Sequence, residues 1–223
     1  MANYSWILLM PKWNSRPIGY PSYWRRAKRE LSAADPVMAK IIKGCRQGGL
    51  TSQGDPFVTL VRAIVAQQIS VRAADCIWDR LQEAVGDISP QNVVEHDEAE
   101  LHAAGLTRHK ASYIRDMAVA FQGGSISPSL WQDRNDEGVI NELLILRGIG
   151  RWTAEMFLIF HLQRPDILPV CDIGLIRACE RHYAAGESLG VKEIKRLAEP
   201  WRPWRSVATW YLWRSLDPAA VAY

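Results

Sequence analysis

The chain has 223 residues, of which 48% are hydrophobic and 23% are charged, a composition typical of a soluble globular protein that argues against disorder. The formal net charge of +3 permits a nucleic-acid-binding surface but does not demonstrate one. No cysteine belongs to a C-x-x-C motif or to a Cys/His group with zinc or iron–sulfur spacing, so we expect buried free thiols in a reducing compartment, at Cys45, Cys76, Cys171 and Cys179.

The N-terminal segment, residues 1–24, is predicted to be an irregular arm. Within it, SWILLM at 5–10 is the only strand candidate of the chain. The apolar part of this segment is too short to span a membrane, and no basic stretch precedes it. We therefore expect no membrane association and no secretion.

The rest of the chain carries the start and stop signals of an all-α protein. Asp55 and Pro56 form an N-cap and first-turn pair before a helix with one apolar face, and Gly86 suits the end of the next helix. Further helices are predicted to start at Ser89, Asp97, Thr107 and Asp136, and later ones to cover about 173–183, 191–199 and 204–215.

The segment LRGIGR, at 146–151, joins two of these predicted helices. Gly148 and Gly150 supply the backbone freedom that a tight turn needs. Such a turn directs N–H groups outward at the start of the following helix, where a phosphate oxygen binds favourably, and Arg147 and Arg151 add positive charge. The alternative interpretation is an ordinary turn between two helices.

Four segments in order resemble the helix-hairpin-helix DNA glycosylase superfamily, in the branch of 3-methyladenine DNA glycosylases that removes alkylated bases. They are RAIVAQQIS (62–70), LRGIGRWTA (146–154), PVCDIG (169–174) and WRPWRSVATWYLW (201–213). The resemblance covers about 25–215 and implies the all-α helix-hairpin-helix glycosylase fold, with two helical subdomains and an active cleft between them. The central bundle is expected over about 55–165, the second subdomain over 25–54 plus 166–215, and a C-terminal tail over 216–223.

The resemblance implies that Asp172 is the catalytic carboxylate. Breaking an N-glycosidic bond builds positive charge on the sugar, and a carboxylate stabilises that charge and activates water. Many relatives have an acidic pair here, whereas this chain has Cys171 before Asp172. A structural alternative makes Asp172 the N-cap of the helix IGLIRACERHY, and the two roles are compatible.

Trp152 occupies the position at which bifunctional members of the superfamily carry a nucleophilic lysine. No lysine occurs between Leu146 and Asp172, so the resemblance implies a monofunctional enzyme in which water attacks and the strand stays intact. An aromatic face also holds a cationic alkylated purine by stacking and cation–π attraction. Trp213 and Met156 match further substrate-binding positions; the alternative for Trp213 is a core role beside Trp210.

The DNA contacts implied by the resemblance are the LRGIGR turn at 146–151 with its flanking helix ends, here called the hairpin, and a wedge that fills the gap left by a flipped base. Gln68 matches the wedge position and Gln67 lies beside it, with a capping or solvated glutamine pair as the alternative. The basic run 108–110 is interpreted as a solvated helix face, and Arg202 and Arg205 either bind phosphate or pair with acids. The predicted DNA-binding residues are Gln67, Gln68, Arg147, Gly148, Ile149, Gly150, Arg151 and Thr153.

Together these features predict a monofunctional glycosylase that excises alkylated purines from damaged double-stranded DNA in base excision repair. The predicted enzyme acts as a monomer, without metal or cofactor, in the bacterial cytoplasm or the eukaryotic nucleus. Two alternatives stay open at this point. One is a non-catalytic helix-hairpin-helix DNA-binding module, and the other is a glycosylase for deaminated or oxidised bases.

Overall fold

The computed structural model describes residues 20–45, 48–51 and 54–216. All regular secondary structure in these ranges is helical, which confirms the prediction of an all-α protein. The strand candidate SWILLM and most of the predicted arm lie outside the described residues, as does all but the first residue of the predicted tail.

Twelve α-helices and two short 3-10 turns make up the described fold. The 3-10 turns are Pro128–Leu130 and Glu199–Trp201. The helices are α1 (Trp24–Ala34), α2 (Pro36–Gly44), α3 (Pro56–Ala66), α4 (Val71–Val85), α5 (Pro90–Glu95), α6 (Glu98–Ala103), α7 (Arg108–Gln122), α8 (Asp136–Leu143), α9 (Arg151–Phe160), α10 (Ile173–Tyr183), α11 (Val191–Leu197) and α12 (Arg205–Leu216).

Within the described ranges the chain divides into two compact units. The central unit is drawn from Gln53–Phe157, and the terminal unit from Met1–Ser52 together with Leu158–Tyr223. The boundary falls inside α9, so a single helix passes from one unit into the other.

Side-chain caps fix where many helices begin. The carboxylate of Asp55 accepts a hydrogen bond from Val58 N at 2.9 Å at the start of α3. Asp97 forms a capping box with Glu100 at α6, and Gly86 ends α4 with a φ of 77°. Each cap satisfies backbone groups that a helix end leaves unpaired and contributes about 0.5–2 kcal/mol. The starts predicted at Asp55, Asp97 and Thr107 are therefore confirmed.

The core of the central unit is formed by the apolar faces of its helices. On α3, Phe57, Leu60 and Ile64 are all buried, and Phe57 meets Phe121 of α7 edge-on with ring centroids 5.2 Å apart. Aromatic pairs in this geometry add to the stabilisation that burial provides. This contact holds the start of α3 against the end of α7.

The terminal unit is organised around a buried carboxylate, Asp35, that the sequence patterns did not single out. It caps α2 by accepting hydrogen bonds from Val37 N at 2.8 Å and Met38 N at 3.0 Å. It also accepts from the Tyr183 hydroxyl at 2.7 Å and from Trp201 Nε1 at 2.8 Å. Asp35 thus connects α2 with the end of α10 and with the second 3-10 turn.

Replacing Asp35 with Ala is expected to lower the free energy of unfolding by about 3 kcal/mol, because hydrogen bonds to a charged group are lost and buried donors are left unpaired. Urea denaturation measures this change. Asp55→Ala, which removes an exposed N-cap, is the control and is expected to cost about 1 kcal/mol. Equal losses in the two variants contradict the role assigned to Asp35.

The Asp35 contribution depends on pH in a direction that its environment sets. Burial raises the pKa of Asp35, but the hydrogen bonds from Tyr183, Trp201 and the two backbone N–H groups outweigh burial and leave the pKa below its ordinary value. The contribution is therefore complete above the unfolded carboxyl pKa of about 3.9 and is lost as pH falls through the lower folded pKa. The stability difference between wild type and Asp35→Ala should shrink accordingly in acid.

Candidate active site and DNA-binding hairpin

Asp172 lies immediately before α10 and is 9% exposed. Its Oδ1 accepts two hydrogen bonds, from Leu175 N at 2.6 Å and from Trp213 Nε1 at 2.7 Å. The first bond confirms the predicted N-cap. Because both donors converge on one oxygen, they restrict rotation of the carboxylate and give its plane a defined orientation.

Gly174 makes this arrangement sterically possible. A Cβ at this position would lie 2.9 Å from Trp213 Cδ1 and 3.0 Å from Asp172 Oδ1. The first distance is shorter than real Cβ contacts and the second is tighter than most, so a side chain here would force the indole to shift relative to the carboxylate. The apolar–Gly–apolar step after Asp172 therefore has a physical cause, which is the close approach of α12 to the start of α10.

Trp213 combines a packing role with a polar one. It is 4% exposed, and its ring stacks on Phe160 with centroids 5.7 Å apart and an interplanar angle of 17°. Trp210, named with Trp213 in the core alternative, is also buried and meets Trp24 edge-on at 5.3 Å. Phe160 was not predicted from the sequence, because a residue at the end of an apolar helix resembles any other core residue. A hydrogen-bond acceptor for Trp213 could be expected, because a buried indole N–H needs one.

The segment between α8 and α9 forms a tight turn. Ile149 N donates to Leu146 O at 3.1 Å, and Gly150 O accepts the first helical bond of α9 from Ala154 N at 3.0 Å. The N–H groups at the start of α9 precede this bond, and such groups have no intrahelical acceptor. The turn is thus of the kind that presents N–H groups to an anion.

The two glycines of the turn have different requirements. Gly148 has a φ of 85°, and a Cβ there would overlap the ring of Tyr113. Gly150 lies outside the left-handed region, and a Cβ there would meet no described atom within 4 Å. The predicted backbone freedom is therefore required at Gly148, whereas packing within the described protein does not require Gly150.

Both arginines that flank the turn are paired with carboxylates. Arg147 Nη1 lies 3.0 Å from Asp116 Oδ2, and its guanidinium stands 5.2 Å above the ring of Tyr113. Arg151 pairs with Glu137 and, at 3.2 Å, with Glu155. The Arg147–Asp116 and Arg151–Glu137 pairs are exposed, and such pairs contribute only about 0–1 kcal/mol each, so a phosphate can replace either carboxylate at little cost. Glu155, in contrast, is buried.

The remaining predicted residues on the turn and on α9 differ in exposure. Trp152 is partly exposed. Ile149, Thr153 and Met156 are buried, at 5%, 6% and 1% exposure. The side chains of these three residues face the protein interior, so the groups that Ile149 and Thr153 can offer to DNA are those of the backbone.

The α3–α4 turn carries the glutamine pair. Gln68 is exposed and has a φ of 61°, in the left-handed region that residues other than glycine rarely occupy. Gln67 Nε2 donates to Gly148 O at 2.9 Å, which connects this turn to the hairpin. The pair is therefore split, with one glutamine engaged with the protein and the other exposed.

The interpretation of 108–110 as a solvated face is wrong for Lys110. This residue is only partly exposed, and its Nζ donates to Val65 O at 2.8 Å and to Gln67 O at 2.7 Å. Burial lowers the pKa of the Lys110 ammonium below its usual value. The contact joins residues more than forty positions apart, and sequence periodicity carries no signal for it.

Other predictions are resolved by the local contacts. Arg202 and Arg205 both pair with Asp166, at 2.8 Å and 2.6 Å. Of the two alternatives, phosphate binding and pairing with acids, the structure therefore contains the pairing with acids.

The prediction of buried thiols is correct for Cys179 and wrong for Cys76 and Cys171, which are exposed.

The described ranges contain no group of three or more His, Cys, Asp or Glu side chains arranged to hold a metal ion. Within the same part of the chain, no helix has both the length and the apolar character that a membrane crossing requires.

Known proteins are similar to this chain over most of its length. The alkylbase DNA glycosidase-like protein mag2 of Schizosaccharomyces pombe is 29% identical over 200 residues, which cover 86% of this chain and 94% of that protein. The crystal structure of a DNA-3-methyladenine glycosidase from Bacillus halodurans superposes with a TM-score of 0.83 at 32% identity, covering 92% of this chain and 96% of that one.

A second solved structure contains DNA. The 3-methyladenine DNA glycosylase of Schizosaccharomyces pombe in complex with abasic DNA has a TM-score of 0.73 at 26% identity, covering 87% of this chain and 98% of that one. Residues 61–203, which include the α3–α4 turn, the hairpin, Asp172 and Gly174, match the family described as HhH-GPD superfamily base excision DNA repair protein. The chain therefore belongs to the HhH-GPD superfamily of base excision DNA repair proteins.

Proposed function

We propose that this protein is a monofunctional DNA glycosylase that hydrolyses the N-glycosidic bond of alkylated purines in double-stranded DNA. The observation that carries the proposal is the Asp172 carboxylate, held by Leu175 N and Trp213 Nε1 at the start of α10. The names of the relatives, an alkylbase DNA glycosidase-like protein, a DNA-3-methyladenine glycosylase and a DNA-3-methyladenine glycosidase, support the choice of substrate. A monomeric state and a preference for damaged duplexes belong to the same proposal.

In the proposed reaction the bond between the sugar C1′ and the purine nitrogen breaks, and its electron pair leaves with the base. An alkylated purine is cationic, so this electron pair neutralises it and the base is a good leaving group. The sugar becomes positively charged, and Asp172 stabilises that charge electrostatically. Water then bonds to C1′ and gives up a proton, with Asp172 as the acceptor, and an abasic site with an intact strand results.

We assign the contacts with the base to aromatic side chains. Trp152 is partly exposed, and a cationic purine on its face gains about 0.5–2 kcal/mol from cation–π attraction. Trp213 supplies a second ring near Asp172. Met156 follows Trp152 by one helical turn and is 1% exposed, so its proposed part is to support the Trp152 ring from the same face of α9.

The proposed DNA contacts use backbone groups at the hairpin and one exposed side chain. N–H groups at the start of α9 bind a phosphate, and the open space in front of Gly150 allows the phosphate to approach closely. Arg147 and Arg151 exchange their carboxylate partners for DNA. Gln68 enters the duplex where the damaged nucleotide leaves the stack, a step that costs a few kcal/mol.

Asp172→Asn should reduce the single-turnover rate of 3-methyladenine release from methylated DNA by about 10²-fold or more, because the negative charge next to the reacting sugar is removed. The amide keeps an oxygen for Leu175 N and Trp213 Nε1, so the cap and the DNA affinity should be retained. Asp97→Asn, at the exposed cap of α6, is the matched control and should release base at the wild-type rate. Wild-type release by Asp172→Asn would overturn the assignment.

Gly174→Ala should slow base release by about tenfold, because the added methyl displaces the Trp213 indole from Asp172 and a misplaced catalytic group loses rate steeply. The same rate measurement applies. The control is Gly44→Ala at the end of α2, where a Cβ meets no described atom within 4 Å. If both variants keep the wild-type rate, orientation of Asp172 by Trp213 does not matter to the reaction.

Borohydride reduction during the reaction should trap no covalent protein–DNA adduct, because Trp152 offers no amine to attack the sugar. Denaturing gels detect such an adduct, with a lysine-dependent bifunctional glycosylase as positive control. The product strand should break only after alkali treatment. A trapped adduct contradicts the monofunctional assignment.

A further inference from the structure

We propose that Lys110 is a positioning residue, which together with Gln67 holds the Gln68 turn in the conformation that enters damaged DNA. This inference rests on the proposed function, because it assumes that Gln68 fills the gap in the duplex. The observations that carry it are all within the central unit.

Lys110 closes the end of α3. The last carbonyl groups of a helix have no intrahelical donor, and positive charge is favourable there. The Lys110 ammonium, reaching from α7, donates to Val65 O at 2.8 Å and to Gln67 O at 2.7 Å. It thereby fixes the backbone of the residue directly before Gln68.

Gln67 connects the end of α3 to the hairpin. Its Nε2 donates to Gly148 O at 2.9 Å, while its carbonyl receives the Lys110 bond. Gly148 in turn lies against the ring of Tyr113, and Lys110 and Tyr113 are neighbours on one face of α7 because they are three residues apart. One face of α7 therefore supports both the Gln68 turn and the hairpin.

Gln68 needs such support because its backbone is strained. A φ of 61° is unfavourable for glutamine, and a strained residue keeps its conformation only where its surroundings enforce it. Without the two fixed carbonyls, Gln68 can relax to an ordinary φ, and its exposed side chain then changes direction. Loss of the Lys110 hydrogen bonds should weaken binding to DNA that contains a gap in the stack. Sequence-independent binding to the DNA backbone should stay nearly unchanged.

The test compares affinities for two duplexes of the same sequence, one undamaged and one with a tetrahydrofuran abasic-site analogue. Lys110→Met should weaken binding to the abasic duplex about tenfold and binding to the undamaged duplex at most about twofold, a contrast that a general loss of positive charge does not produce. Arg108→Met is the matched control, since Arg108 is an exposed cation on the first turn of the same helix. It should weaken both affinities by the same small factor. Lys110→Arg keeps hydrogen-bond donors at position 110 and should recover part of the lost affinity for the abasic duplex.

A double-mutant cycle with Gln68→Ala decides whether Lys110 acts through Gln68. If it does, Lys110→Met should change abasic binding by less than about twofold in the Gln68→Ala background, because coupled residues are not additive. Gln67→Met removes the bond to Gly148 O and should likewise weaken binding to the abasic duplex in the wild type but not in the Gln68→Ala background. The proposal therefore stays testable if Lys110→Met fails to fold. Full additivity in the cycle, or equal loss of affinity for both duplexes, overturns the proposal.

The binding cycle is independent of catalysis. A wild-type protein that releases no base from methylated DNA contradicts the proposed function, while a non-additive cycle still supports the role of Lys110. Base release by the wild type together with an additive cycle supports the function and removes Lys110 from it.

Discussion

Besides the local bond from Leu175 N, the candidate catalytic carboxylate is oriented by a long-range hydrogen bond from the Trp213 indole to Asp172 Oδ1. The bond reaches across 41 positions of sequence and requires α12 to approach the start of α10 closely. Gly174 provides the space for this approach, and Phe160 stacks on the face of the indole ring. A helix cap alone orients a carboxylate through one local donor, whereas the second donor, on a different helix, ties its orientation to the tertiary packing of the unit.

The same kind of indole–carboxylate bond occurs twice more among the described residues of the terminal unit and gives a reason for several of the ten tryptophans of the chain. Trp201 Nε1 donates to Asp35 at 2.8 Å, and Trp204 Nε1 donates to Glu30 at 2.7 Å. In each case a largely buried indole satisfies its only donor with a carboxylate on a distant element. A tryptophan used in this way contributes apolar area and a directional polar contact together. The terminal unit thus relies on indole–carboxylate pairs to join segments that are far apart in sequence.

The sequence was informative wherever the determining interactions are local. The helix over 173–183 was predicted with its observed bounds, because Asp172 caps it through a residue three positions away. The role of Lys110 was missed, since its acceptors belong to a helix more than forty residues earlier. The exposure of Cys171 was also missed, because the tendency of cysteine to be buried is statistical and the residue lies at a helix start. Helix boundaries were therefore accessible from sequence, while contacts between helices were not.

The ion pairs at the hairpin have a consequence for how the protein meets undamaged DNA. Arg147 pairs with Asp116, and Arg151 pairs with Glu137 and Glu155, so carboxylates already balance the positive charge of both arginines. Binding a phosphate there releases few condensed counterions in net terms, because the protein gives up its own anionic partner at the same step. The entropic gain that makes purely cationic proteins adhere to any duplex is correspondingly small. Under the proposed function, in which many normal nucleotides are inspected for each damaged one, short residence at every intact site is an advantage.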